Sequence, residues 1–383
     1  MWISVVLKNA VMKARTLLNV KPCAGPDMHI LQLLPSKVLG GLEQVCADYC
    51  RILTEQGDIV TVIIHPQAKM REKLSELSIN LVFDKSVIAK RSHFNPLTIL
   101  RFRKYIKLHR PDVVIVHNGR NVPLMRYVCK NIVPLIAVNH GTKSRRTAGV
   151  DAIIAVNTTL QKRIIKTGQP KNTTYCLQNM ITVDDAEFTR AGDCITEIPV
   201  IGTMARFDIA KGVEDFIESL VLLKKSGMVF KALIGGGGKE KSKLYKKAKN
   251  LFLEEDLQFI GWVSDKERFF REIDIFCLPS RFEPFGIVLL EAMLYGCPIV
   301  ATNCEGPLDI IKDGYNGILI ERSNPESLAS GIRKMLSDAS LRVKITENAY
   351  NVLKEKYNSA IVGNKLKSIL VEVENRFKKY NVK

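Results

Sequence analysis

The stretch at residues 273–293, IDIFCLPSRFEPFGIVLLEAM, says most about how this chain folds. Its first six residues are mainly apolar and predict a buried strand, which the Pro-Ser pair then ends. A helix is predicted to begin after Gly286. Glu283 therefore lies in a turn, and Glu291 lies about two turns into the helix. Both follow the carboxyl end of a strand, the edge at which open α/β sheets bind ligands.

The chemistry of this segment suits a sugar that is joined to a nucleotide through phosphates. Two carboxylates can accept hydrogen bonds from two sets of hydroxyls. The backbone N–H groups of Phe285 and Gly286 can bind an anion where the helix starts. The alternative is a surface helix with two incidental acids, because such a pair of glutamates is common by itself. The surrounding pattern F-E-P-F-G-x-x-x-L-E-A-M favours the binding site.

The same alternation of short apolar strands and amphipathic helices runs through the whole chain from residue 29, and it restarts after an acidic, polar stretch near residue 190. Such a pattern predicts parallel sheets that helices cover on both faces. We therefore predict an α/β fold with two Rossmann-like, doubly wound domains, at residues 28–190 and 191–360. A cleft between two such domains is the expected ligand site. Residues 361–383 predict a last helix that packs back across the domains.

Residues 1–27 look foreign to this pattern, since they mix apolar and basic residues without an uninterrupted apolar core. They make a poor signal peptide. Either the true start is Met28 or the leader is a short basic amphipathic extension that lies on a membrane. We favour Met28 as the start.

The chain is strongly basic, with 57 Lys and Arg against 39 Asp and Glu and a formal net charge of +18. Nucleic acid, an anionic membrane surface or a phosphorylated substrate would each explain this charge, and so would a solvated lysine-rich surface. No nucleic-acid-binding module accompanies the basic runs, such as residues 101–110, so no nucleic-acid partner is predicted. The nine cysteines contain no C-x-x-C pair and predict reduced core thiols in a cytoplasmic protein.

A second motif, G-T-M-A-R followed by K-G, follows the first strand of the second half and contains Arg206 and Lys211. An arginine fork and a nearby lysine on a strand-to-helix loop can grip a diphosphate and offset the charge that develops on a leaving nucleotide. The alternative is two solvated cations in a very basic protein.

The first half carries weaker signals. Gly40 and Gly41 open its first helix, where glycines allow a ligand to approach free N–H groups, although a tight strand–helix turn would look the same. The pattern is not G-x-G-x-x-G, which disfavours a dehydrogenase. His117 and His140 each follow a predicted strand, and a lone histidine at a strand end is more often structural than functional.

Together these features resemble the GT-B glycosyltransferases and, within them, the retaining group called group 1 or family 4, from about residue 28 to residue 370. The resemblance implies that Glu283 contacts the transferred sugar and Glu291 the ribose. It also implies a set of further roles: Arg206 and Lys211 hold the diphosphate, His140 faces the sugar, Phe285, Gly286 and Gly41 contact the donor, Gly261 and Val263 cradle the base, and His117 and Gly40 lie on the acceptor side.

The implied activity is transfer, with retention, from a nucleotide-diphosphate sugar to a hydroxyl of a glycolipid or polysaccharide acceptor in bacterial cell-envelope (lipopolysaccharide) synthesis. We expect no cofactor and no metal, because the sequence has no D-x-D pair and no ligand cluster. We also expect peripheral contact with the inner face of an anionic membrane. The alternatives are a GT-B epimerase or nucleotide-sugar hydrolase and, outside enzymes, a basic nucleic-acid-binding protein. One departure is Asp309, which stands where similar enzymes have a glutamate.

Overall fold

The structure is a computed structural model that describes residues 28–88, 95–117, 119–141, 146–183 and 197–381. It contains two parallel α/β domains, each with one sheet, and the prediction of two doubly wound domains is confirmed. The predicted leader lies outside the described residues, and so does the predicted junction near residue 190.

The first domain has a seven-stranded parallel sheet in the order β3-β2-β1-β4-β5-β6-β7. Apolar residues fill its central strands, as expected where helices cover both faces of a sheet. Its strands are β1 (His29–Leu34), β2 (Ile59–Ile64), β3 (Asn80–Phe83), β4 (Val113–Val116), β5 (Leu135–Asn139), β6 (Ala152–Ala155) and β7 (Thr174–Cys176). Its helices are α1 (Gly41–Glu55), α2 (Arg71–Ser75), α3 (Pro96–His109), α4 (Val122–Cys129) and α5 (Thr158–Lys166).

The second domain has a six-stranded parallel sheet in the order β10-β9-β8-β11-β12-β13. Its strands are β8 (Val200–Arg206), β9 (Lys231–Gly237), β10 (Leu257–Gly261), β11 (Ile275–Leu278), β12 (Ile299–Thr302) and β13 (Ile318–Ile320). Its helices are α6 (Val213–Lys225), α7 (Lys241–Asn250), α8 (Lys266–Glu272), α9 (Ile287–Leu294), α10 (Glu305–Ile310), α11 (Pro325–Ser337) and α12 (Ala339–Val352).

Each sheet reverses its strand order once, between β1 and β4 in the first domain and between β8 and β11 in the second. Helices leave neighbouring strands in opposite directions at such a point, so a crevice opens beyond the carboxyl ends of the two strands. The loops that follow β8 and β11 carry Lys211 and Glu283, and His117 follows β4. The topology therefore places predicted site residues at both crevices.

The last helix, α13 (Ser359–Asn381), returns from the second domain and packs on α1 of the first. Gln56 donates to Asn364 at 3.0 Å, and Lys367 forms an ion pair with the buried carboxylate of Asp58. The side chain of Ile52 fills the space beside Gly363. The final helix thus ties the two domains together.

The seven cysteines among the described residues are all free, and six of them are buried. Within the same residues, no helix combines the length and the apolar character needed to span a bilayer.

Candidate active site

Two adjoining loops of the second domain form the centre of the site. One joins β8 to α6, and the other joins β11 to α9. The backbone N–H of Phe282 donates to the carbonyl of Ala210 at 3.0 Å and links them. Gly212 has a left-handed φ of 63°, and a Cβ atom there would overlap the carbonyl oxygen of Pro279. Only glycine allows the two loops to lie this close.

Lys211 and Glu283 meet where these loops touch. Lys211 Nζ lies 2.6 Å from Glu283 Oε2, and both side chains are largely buried, with 19% and 12% of their surface exposed. A charged pair with so little solvent around it interacts more strongly than one on the surface. The pair offers one cation for an anionic group and one carboxylate for hydroxyls, side by side.

Arg206 is placed differently from Lys211. It ends β8, and 73% of its side chain is exposed, while its Nε donates to Asp208 Oδ2 at 2.6 Å. Asp208 also caps the short 3₁₀ helix Ile209–Lys211 by accepting from the backbone of Ala210. Arg206 is therefore oriented by the Asp208 carboxylate, and most of its side chain is exposed to solvent.

Glu291 lies on the buried side of α9 and forms an ion pair with Lys266. The sequence prediction did not include Lys266. The one feature that could have predicted its role is its position as the first residue of α8, where the helix dipole disfavours a cation. A lysine at such a position favours a nearby carboxylate partner, and in the structure this partner is Glu291.

The start of α9 is fixed by packing around Phe285 and Gly286. Phe285 is buried, and its ring meets the Tyr357 ring edge to face at 6.1 Å. Gly306 lies so close to the Phe285 carbonyl that no larger residue fits, and its N–H donates to the Glu283 carbonyl at 2.8 Å. Gly286 is the N-cap, with φ of 94°. The backbone N–H groups at this helix start have no partners within the helix.

Two helix starts face each other across the cleft. A Cβ atom on Gly41, the first residue of α1, would lie 3.5 Å from Ile287 Cδ1 at the start of α9. The preceding Gly40 is exposed and lies beside the buried carboxylate of Glu43. Gly41 thus lies near the start of α9. Its contact with the donor and the contact of Gly40 with an acceptor both stay predictions.

His140 lies at the end of β5 on the first-domain side. The side chain of Asn139 accepts from the Gly141 N–H at 3.0 Å and donates to Thr147 at 3.0 Å, which shapes the turn that holds the ring. His140 Nε2 is buried and has no hydrogen-bond partner among the described residues. Burial lowers the pKa of His140 to about 4. The ring is therefore neutral at pH 7, with one nitrogen available to a ligand.

His117 is a different case, because it is fully buried. Its Nε2 lies 2.6 Å from Gln32 Oε1, and its ring stacks on His140 with centroids 5.7 Å apart. The edge of its ring also meets Tyr49. Burial and the neighbouring His140 lower its pKa. In this structure the His117 ring packs against the His140 ring. Its contact with an acceptor stays a prediction.

Gly261 and Val263 lie at the outer end of the second sheet. Gly261 ends β10, and Val263 packs so closely on Gly235 of β9 that a side chain at position 235 would overlap it. The loop continues into α8, whose first residue is the Lys266 that pairs with Glu291. The structure thus joins this loop to the glutamate helix, and its contact with a base stays a prediction.

The first domain contacts the glutamate loop through the start of α5. Asn157 caps this helix by accepting from the Leu160 N–H at 2.6 Å, and its amide donates to the carbonyl of Pro284. Asp309 accepts from both the N–H and the hydroxyl of Thr158, at 2.7 and 2.8 Å. Asp309, which stands where similar enzymes have a glutamate, therefore joins the two domains close to the glutamate loop.

The two parallel α/β domains have the GT-B fold of glycosyltransferases. Sequence models of two families match the chain. The model described as glycosyl transferases group 1 matches residues 187–352, and the model described as glycosyltransferase family 4 matches residues 39–185. The two matches together cover most of the chain and support a group 1 glycosyltransferase, in agreement with the resemblance found in the sequence.

Similar proteins agree with this assignment. The lipopolysaccharide core biosynthesis glycosyltransferase LpsE of Rhizobium meliloti is 26% identical over 82% of this chain and 91% of its own length. The structure of Anabaena Alr3699/HepE in complex with UDP-glucose has a TM-score of 0.79 at 19% identity, over 90% of this chain and 100% of its own. A glycosyltransferase from Rickettsia africae also has a TM-score of 0.79, at 20% identity, over 91% and 99%.

Proposed function

We propose that this enzyme transfers a sugar, with retention, from a nucleotide-diphosphate sugar to a hydroxyl of a glycolipid or polysaccharide of the bacterial cell envelope. The Lys211–Glu283 pair carries this proposal. It joins an anion-binding cation to a hydroxyl-binding carboxylate at the crevice of the second domain. Glu291, with its partner Lys266, lies eight positions after Glu283 in the second turn of α9, and this second site suits a ribose. The name of LpsE and the UDP-glucose complex of HepE support the class of acceptor and donor.

The charges of the site suit departure of a nucleoside diphosphate. Lys211 and the exposed guanidinium of Arg206 stabilise the negative charge that grows on the leaving phosphate. Glu283 accepts hydrogen bonds from sugar hydroxyls. The Lys211 ammonium then contacts both the Glu283 carboxylate and the phosphate. We propose that these two cations supply this stabilisation without a metal ion or other cofactor.

Acceptor activation is the second part of the proposal. Retention requires the acceptor hydroxyl to attack the face from which the leaving phosphate departs. A phosphate oxygen is then near enough to take the hydroxyl proton. The neutral ring of His140 would contact the sugar through a hydrogen bond and add no positive charge there.

A surface on α3 suits contact with a membrane. Leu97, Leu100 and Leu108 are exposed by 70%, 61% and 69%, and they share the outer face of α3 with Lys104. Phe102 and Ile106 on the opposite face are buried. Exposed leucines beside cations are typical of a helix that lies at an anionic lipid surface. We propose that this face holds the enzyme, as a peripheral protein on the cytoplasmic side, near a glycolipid acceptor.

Thermal-shift screening against UDP-, GDP- and ADP-linked sugars tests the function. A ligand that binds only the folded protein raises its melting temperature, so one nucleotide class should raise it in a concentration-dependent way. That donor, incubated with a lipid extract as acceptor, should give a glycosylated lipid. Free sugar formed at the same rate with and without the extract would instead indicate a hydrolase. No stabilisation by any nucleotide sugar would contradict the proposal.

A further inference from the structure

A group of basic side chains lies on the first domain, outside the site described above. Lys37 follows β1, His65 follows β2 and Lys85 follows β3. These strands are neighbours in the sheet order β3-β2-β1. The carboxyl ends of parallel strands meet at one edge, so the three side chains lie along the outer part of the edge that borders the cleft. His140, at the end of β5, lies farther along the same edge.

Gln67 connects two members of the group. Its side-chain oxygen accepts from Lys37 Nζ at 2.9 Å, and its backbone N–H donates to His65 Nδ1 at 3.0 Å. The N–H of Lys69 donates to the carbonyl of Lys37 at 3.3 Å and ties the same two loops together. Because Nδ1 of His65 accepts a hydrogen bond, the ring proton lies on Nε2. His65 therefore presents an N–H donor from a fixed ring.

The positive charge of this group is not neutralised locally. Among the described residues, neither Lys37 nor Lys85 forms an ion pair, and the partner of Lys37 is a neutral amide. Asp84 lies next to Lys85 in sequence, but its carboxylate accepts from the Ser86 N–H at 2.7 Å and from the Tyr105 hydroxyl at 2.9 Å. Cations at the border of a cleft without carboxylate partners favour an anionic ligand.

The state of His65 agrees with this view. Its side chain is 6% exposed, and burial, followed by the charges of Lys37 and Lys85, lowers its pKa. The ring is neutral at pH 7 and can donate from Nε2 without an added charge. An anion beside it would offset the two lysines and raise its pKa again. His65 therefore reports on whether an anion is bound.

We propose that Lys37, His65 and Lys85 form a subsite for a phosphate or diphosphate group of the acceptor. The inference rests on the proposed function and narrows its acceptor to one that carries phosphate. The group would be either the diphosphate of a prenyl-linked saccharide or a phosphate on a saccharide core. Two lysines give charge and the imidazole N–H gives direction, which together suit a tetrahedral oxyanion.

Titration of the full-length enzyme with inorganic phosphate, followed by the His65 imidazole signals in NMR spectra, tests the subsite. The His65→Asn variant identifies those signals by their loss. We expect a saturable shift and a higher His65 pKa with phosphate bound. The double variant Lys37→Ala, Lys85→Ala should bind about tenfold more weakly or not at all. No saturable shift in the wild-type enzyme would overturn the proposal.

The matched control is the double variant Lys225→Ala, Lys246→Ala, which removes the same charge from exposed positions of the second domain. Equal weakening in both double variants would reduce the effect to net charge and overturn the subsite. Titrations with farnesyl diphosphate and with glucose 6-phosphate distinguish a prenyl diphosphate from a saccharide phosphate. Tighter binding of one of the two indicates which kind of acceptor the subsite fits. Donor binding is measured separately by thermal shift. A shift of the His65 signals without binding of any nucleotide sugar would contradict the proposed function but not the subsite. Binding of a nucleotide sugar without a shift of the His65 signals would contradict the subsite but not the proposed function.

Discussion

Lys211 Nζ lies 2.6 Å from Glu283 Oε2, although the two residues are 72 positions apart in the chain. Each follows one of the two strands, β8 and β11, between which the second sheet reverses its order. The pair therefore exists because of the sheet topology and not because of a local motif. In the proposed function this pair supplies the cation for a phosphate and the carboxylate for a sugar at one point.

Replacement of Gly212 tests how the two loops are held. Gly212→Ala combines a left-handed backbone with an overlap on the Pro279 carbonyl, so we expect the free energy of unfolding to fall by about 2–4 kcal/mol. Gly227→Ala is the control, since Gly227 also has a positive φ but no atom lies near its added Cβ. It should lose only about 1 kcal/mol. Urea unfolding measures both, and equal losses would show that the loop contact is unimportant.

The bond between Asn157 and Pro284 tests the role of domain contact. Serine also caps helices well, but it is too short to reach Pro284, so Asn157→Ser should keep the helix and lose the contact. We expect Asn157→Ser and Asn157→Ala to reduce transfer similarly, by about tenfold, as for loss of one buried hydrogen bond. Asn157→Ala should unfold about 1 kcal/mol more easily than Asn157→Ser. Wild-type transfer rates in the serine variant would show that catalysis does not use this contact.

Local sequence pattern was sufficient for the strand before Glu283 and for the positions of the two glutamates in the turn and the helix. Residues 273–278 predict a strand, and the structure has Ile275–Leu278. Glu283 and Glu291 occupy the predicted turn and helix because both depend on Pro, Gly and apolar spacing nearby. These features are set by neighbours within a few residues, so a single sequence contains them.

Contacts between distant residues were not predicted. Asn157 meets Pro284 across 127 positions, and the ion pair of Lys266 with Glu291 depends on how α8 and α9 pack in the second domain. The burial of His117 likewise results from Gln32 and Tyr49, which lie on other elements. Such contacts follow from strand order and domain docking, which apolar periodicity does not encode.

The pH dependence of stability tests the environment of His140. Burial lowers its pKa from 6.5 to about 4. Between these values the unfolded chain binds a proton that the folded chain does not, so this contribution to stability is complete above pH 6.5 and is lost as the pH falls. We expect the free energy of unfolding to fall about 1–2 kcal/mol more in the wild-type enzyme than in His140→Asn between pH 7.5 and pH 5.

Urea unfolding at these two pH values provides the comparison. Asp48 has the opposite effect, because burial raises its pKa from 3.8 to about 6, and its contribution is lost as the pH rises. Asp48 is present in both proteins, so its contribution cancels in the difference between them. The same pH dependence in both would show that the His140 ring is not protected from protonation.

The outer face of α3 predicts binding to anionic vesicles. Each lysine near such a surface contributes about 1 kcal/mol. Replacing Lys104 and the nearby exposed Lys107 of α3 with alanine should therefore weaken binding to phosphatidylglycerol vesicles at least about tenfold. Lys225→Ala with Lys246→Ala removes the same charge elsewhere and should have little effect. Cosedimentation at low and high salt measures this, and binding that salt leaves unchanged would argue against an electrostatic contact.

The most direct test of the central claim is the rate of sugar transfer by Glu283→Gln. Glutamine keeps the size of the side chain but removes the charge that pairs with Lys211. In the proposed function this charge also strengthens hydrogen bonds from the sugar hydroxyls. We expect kcat to fall about 10²-fold or more when it is measured well below the melting transition, and the melting temperature to fall as well because Lys211 loses its charged partner. The control Glu272→Gln, a surface carboxylate paired with Arg268, should retain full activity. Transfer by Glu283→Gln at the wild-type rate would contradict the assignment of this site.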